Sequence, residues 1–159
     1  MNKLLKVSVG ITFSVLLVSQ LLLAQNNVTY KSIKLFESGY NPPPQSERVY
    51  STHFSKDETR YIFYEIELTN NLYSVRDNPV SIKAKFYKPD GSLMGDPVLD
   101  YTILSDWETA YLWHGWGWQD AGNWEIGTYR VVIYIGNKRI TETLFSVYDK
   151  YWDSPTASR

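Results

Sequence analysis

Five of the six tryptophans lie between Trp107 and Trp124, in the run WETAYLWHGWGWQDAGNW, with Tyr111 among them. An indole offers a broad flat face at low entropic cost and keeps one polar N–H edge. That combination suits stacking on a sugar ring or an apolar peptide. Trp113, Trp116, Trp118 and Trp124 are therefore the candidate ligand-binding residues. The same rings could instead plug the open end of a pair of sheets and pack on Tyr129. Parity along the chain leaves both readings open. Tyr111, Trp113 and Gly115 share one parity; Leu112, His114, Trp116 and Trp118 share the other. Gly115 and Gly117 permit a close backbone approach or a bulge in this run.

Other chemistries find less support. His114 has Asp106, Glu108 and Asp120 nearby in sequence, and His53 lies between Thr52 and Phe54. A metal site needs three or four convergent ligands, and the chain contains neither His-x-His nor His-Glu-x-x-His. No metal and no cofactor is expected. The absence of cysteine excludes thiol catalysis, cysteine-ligated zinc and disulfides. There is no Gly-x-Ser-x-Gly elbow and no glycine-rich phosphate loop. No catalytic residue is assigned, and the expectation is a non-catalytic protein. A small hydrolase using His114 with Asp106 or Asp120 stays as the alternative.

The elements that must carry these residues read as short strands. Arg60 to Asn70 alternates clearly, with Ile62, Tyr64, Ile66 and Leu68 on one face and Tyr61, Phe63, Glu65 and Glu67 on the other. That is the period of a half-buried antiparallel strand. Glu65 and Glu67 are expected to meet Lys83 or Lys85 across the sheet. Val80, Ile82, Ala84 and Phe86 mark another strand, closed by the turn Lys88-Pro89-Asp90-Gly91. Val28 to Phe36 and Arg48 to Phe54 are expected strands, separated by a stiff connection around Pro42 to Pro44. Leu93 to Leu104 is a strand interrupted at Gly95 and Pro97. Thr128 to Ile135 and Lys138 to Tyr148 form a hairpin turning at Gly136-Asn137. Ile140 is out of step with Phe145 and Val147, so a bulge is expected between them. About seven or eight strands with one core's worth of apolar residues predict an all-β, antiparallel two-sheet sandwich.

The N-terminus reads differently. Lys3 and Lys6 precede an uncharged run from Val7 to Ala24, the layout of a secretory signal helix over residues 1–24. The sandwich would then occupy 25–148, with a flexible tail over 149–159. An uncleaved N-terminal helix acting as a membrane anchor is the alternative. Either way the domain is expected to be exported, and with the helix cleaved it is expected to be secreted or periplasmic. Loss of the two lysines leaves the domain two units more acidic than the chain's net −1. Such a balance carries no footprint for nucleic acid or an anionic membrane. Export without disulfides fits a bacterial source.

One segment carries a resemblance. Gly127-Thr128-Tyr129-Arg130-Val131 resembles the start of strand F of immunoglobulin-like domains, where a tyrosine folds its hydroxyl back onto the backbone as a tyrosine corner. The longer pattern of Trp124, Gly127 to Val131, Ile133, Gly136-Asn137, Phe145 and Val147 is similar to the ends of bacterial exported Ig-like sandwich modules. The antibody cysteines are absent. The resemblance implies a non-catalytic module that binds, spaces or presents other domains, and it gives no ligand. With the tryptophan-rich run beside it, the expectation is a binding or accessory module of the cell envelope with a protein or carbohydrate partner. A purely structural envelope component is the other role it allows.

Overall fold

The computed structural model describes residues 27–150. The expected signal helix over 1–24 lies outside the described residues, as does all of the tail beyond Lys150. Within them the chain forms nine strands and one 3-10 turn, Gln45–Glu47. A three-stranded sheet has the order β1 (Val28–Ser38), β3 (Tyr61–Asn70), β7 (Thr109–Gly117). The second sheet runs β2 (His53–Ser55), β9 (Lys138–Tyr148), β8 (Gly127–Ile135), β4 (Asn78–Tyr87), β5 (Leu93–Gly95). Strand β6 (Val98–Ile103) also pairs with β4. All pairings are antiparallel except β2 with β9.

Alternation decides which residues meet between the sheets. Ile62, Tyr64, Ile66 and Leu68 of β3 are buried against Ile82, Ala84 and Phe86 of β4, and Val131 and Ile133 of β8. Each strand thus hides one row of apolar side chains, the principal driving force for stacking two sheets. The order β1-β3-β7 against β9-β8-β4 reproduces A-B-E against G-F-C of an immunoglobulin-like sandwich. The tyrosine corner is formed. Tyr129 Oη donates to Glu125 O at 3.0 Å and accepts from Glu125 N at 2.8 Å.

The local expectations fare unevenly. Ile135 pairs with Lys138 around the two-residue turn, and Gly136 has φ 58°. Pairing passes from Ile133–Thr141 to Tyr134–Arg139, so Ile140 is the extra residue of a bulge in β9. The interrupted Leu93 to Leu104 segment is two strands, split around Pro97. Arg48 to Phe54, by contrast, is not one strand. Tyr50 makes a single bridge to Phe36, and regular pairing begins only at His53. Ser51 Oγ bonds locally to the His53 backbone on both sides, which bends the chain between the two sheets. Glu65 and Glu67 do not meet Lys83 or Lys85. Those lysines lie on β4, in the other sheet.

Candidate functional site

The tryptophan-rich run enters the fold as β7, an outer strand of the three-stranded sheet. Both parities are aromatic because the two sides of β7 meet different neighbours. Trp113 pairs in register with Glu65, on the face turned away from the core; Trp116 pairs with Ile62, on the inner face. The four candidate tryptophans therefore do not form one surface.

Trp124 is a correction. Its ring is 1% exposed and sits inside the sandwich, edge-on to Trp118, Tyr129 and Phe145 with centroids 5.1–5.6 Å apart. Its indole N–H donates to Arg60 O at 2.9 Å. A ring so enclosed plugs the sandwich end and offers a ligand no face. Trp118 is half-buried against it. Trp116 is half-buried against the core, and its ring lies where a Cβ on Gly95 would fall, 2.6 Å away. Trp113 alone of the four is exposed, at 38%.

Around Trp113 the outer face of the sheet is built from aromatic rings over a buried ion pair. The Arg48 guanidinium lies 4.9 Å from the Phe36 ring centroid and 5.5 Å from that of Trp113. It forms an ion pair with Glu65, and its Nε donates to Pro43 O at 3.1 Å. Gln45 Nε2 and Tyr50 Oη each donate to the Glu65 carboxylate at 3.0 Å. The Arg48 and Glu65 side chains are only 6% and 4% exposed. Burial, then the neighbouring carboxylate, raise the pKa of the Tyr50 hydroxyl. Phe63 stacks on Phe36 at 5.3 Å and meets Trp113 edge-on at 5.8 Å.

Alternation alone sends Glu65 to solvent; the segment 39–51 covers it instead. The one available signal was Arg48 and Tyr50, two apart directly after the proline run, where one side of an extended chain carries both toward the same carboxylate. Charge-assisted and cation–π contacts together fix the Trp113 indole from one side. Tyr111 stands exposed on the same face of β7.

His114 is on the inner face, paired with Tyr64. Its Nδ1 accepts the Gly115 N–H at 2.7 Å, and burial lowers its pKa. Among the described residues no hydrogen bond or ion pair joins it to Asp106 or Asp120. None of the described His, Asp and Glu side chains form a group of three or more that could hold a metal ion.

No family model matches the chain, and no curated protein does. Solved structures do. An immunoglobulin-like protein from Pseudomonas aeruginosa aligns at 15% identity and TM-score 0.44, over 79% of this chain and 99% of that one. The CARDB domain of a Pyrococcus furiosus protein aligns at 14% identity and TM-score 0.38, over 76% and 96%. A Pseudomonas fluorescens alkylpurine DNA glycosylase aligns at 10% identity and TM-score 0.46, and there the match covers 82% of this chain but 33% of that one. At such identities the architecture of the present chain is carried by its strand order and its tyrosine corner, which are those of an Ig-like β-sandwich.

Proposed function

We propose that this protein is an exported, non-catalytic binding or accessory module of the bacterial cell envelope, secreted or periplasmic. Its recognition surface is the outer face of the three-stranded sheet, with Trp113 at the centre and Tyr111 beside it. The supporting observation is the exposed Trp113 indole backed by the Arg48–Glu65 pair. A large flat ring already fixed by its neighbours loses little entropy when a sugar or peptide stacks on it. The chain's mildly acidic charge balance favours a carbohydrate or protein ligand over nucleic acid.

The test is a tryptophan-fluorescence titration of the protein with cell-wall glycans and envelope extracts. Binding should shift or quench the emission, and Trp113→Ala should abolish the change. Trp107→Ala should keep it, because Trp107 stacks on Tyr101 at 6.3 Å, away from this face. An unchanged titration in Trp113→Ala would remove the assignment.

A further inference from the structure

Every sheet has two edges, and an unpaired edge is a template for another strand. Three of the four edges here are blunted. Strand β1 carries Lys31, Lys34 and Glu37, contains a register shift at Tyr30/Ser32, and bridges to Tyr50. Strand β2 is three residues long. The far edge, β5 and β6, is broken around Pro97 and carries Asp100. Strand β7 has none of these devices. Its nine residues, TAYLWHGWG, include no charge and no proline, and no described strand pairs with its outer side.

The hydrogen-bond register shows which groups β7 presents there. Asn70 N donates to Glu108 O and Trp118 N donates to Arg60 O, both in step with the β3–β7 ladder. In an antiparallel pair the bonded residues alternate. Even-numbered residues of β7 therefore turn their N–H and C=O toward β3. Thr109, Tyr111, Trp113, Gly115 and Gly117 turn theirs to the open edge. Gly115 N–H is the one of these donors with a side-chain acceptor, His114 Nδ1.

We infer that β7 pairs antiparallel with β7 of a second copy of this chain, on a two-fold axis through Trp113. The occupant is chosen by the pattern of the strand itself. Centring on Trp113 sets Thr109 opposite the other copy's Gly117 and Tyr111 opposite its Gly115, so these two side chains each meet a residue that has none. Phe63 leans over Gly115, where a Cβ would come within 2.6 Å of its ring. The incoming Tyr111 would meet that aromatic edge. The two Trp113 rings would lie side by side on the axis, and no like charges oppose each other along the paired strands. The result is a continuous six-stranded sheet with both Trp113 faces on one side. The inference does not depend on what those faces bind.

A cysteine-free chain makes the register directly testable. Partners in a hydrogen-bonded antiparallel pair have Cα atoms about 5.5 Å apart, within disulfide reach. The full chain, recovered as the cell exports it, is compared by sedimentation equilibrium with single variants. Wild type should run at twice the monomer mass, and Tyr111→Lys, which puts a charge on each side of the axis, should run as monomer. Trp113→Cys treated with oxidised glutathione should give a reductant-sensitive dimer. Tyr111→Cys should not, because two copies of residue 111 lie about 13 Å apart along the ladder. Leu144→Cys, exposed on β9, controls for random collision. A monomeric wild type, a Tyr111→Lys dimer, or cross-linking at 111 in place of 113 would each overturn the inference. If Trp113→Cys fails to fold, the mass measurements decide alone.

Discussion

Tyr129 ties the turn before β8 to its own side chain, with one hydroxyl serving both the N–H and the C=O of Glu125. Tyr129→Phe removes both of these part-buried hydrogen bonds, which costs about 0.5–1.5 kcal/mol for each. Urea unfolding should show this as a lower midpoint with an unchanged slope. Arg48 and Glu65 pose a different problem. Removing one member of a buried pair leaves an uncompensated charge, so Arg48→Ala should destabilise by about 3–5 kcal/mol. Replacing both, as Arg48→Met with Glu65→Leu, should recover most of that loss in the same assay. His114 predicts a pH effect. Its folded pKa lies below its ordinary value of 6.5 because burial disfavours the imidazolium. The unfolded chain therefore binds the proton more readily. The stability it allows is full above about pH 6.5 and falls as the pH drops from there through the folded pKa. His114→Gln should flatten the stability curve in that window, and an unchanged slope would assign the acid sensitivity to another group.

At the scale of elements, the strands that alternate cleanly were legible from sequence. Residues of β3, β4 and β8 declare one apolar face each, and the hairpin turns where Gly136-Asn137 sits. Strand β7 was not legible as a strand, since aromatic residues occupy both of its faces and no parity stands out. Its inner face needs rings to fill the end of the sandwich. Its outer face needs them to pack beneath Arg48. Glycine positions in β7 follow from the same crowding. A Cβ on Gly117 would lie 2.2 Å from Arg60 O and 2.6 Å from Tyr61 Cα, and backbone cannot yield as a side chain can. Gly136 has open space around it, so alanine there meets only the cost of a positive φ, about 1–2 kcal/mol. Gly117→Ala should accordingly lower the melting temperature more than Gly136→Ala. The reverse order would mean that β7 does not lie this close to β3.

At the scale of the molecule, a single apolar cluster among the described residues draws on both sheets. A domain of this size with one shared core should unfold in one step. Tryptophan emission and far-ultraviolet circular dichroism should give coincident denaturation curves; separate midpoints would mean that the two sheets are held independently. What the sequence by itself determined was the class of the fold: strand periodicity, turn chemistry and the Gly127–Val131 segment depend on neighbours along the chain, and neighbours along the chain can be read in order. Tertiary structure alone decided the fate of each functional candidate. Trp113 and Trp124 have the same side chain and sit eleven positions apart. One faces outward over Arg48, and the other fills the core beside Tyr129. The difference comes from segments far away in sequence. Residues 39–51 fold over one side of β3, and Arg60 supplies the carbonyl that receives the buried indole. Contacts between such distant segments leave no periodic trace in either of them, so burial of Glu65 and exposure of Trp113 become visible only once the sheets are stacked.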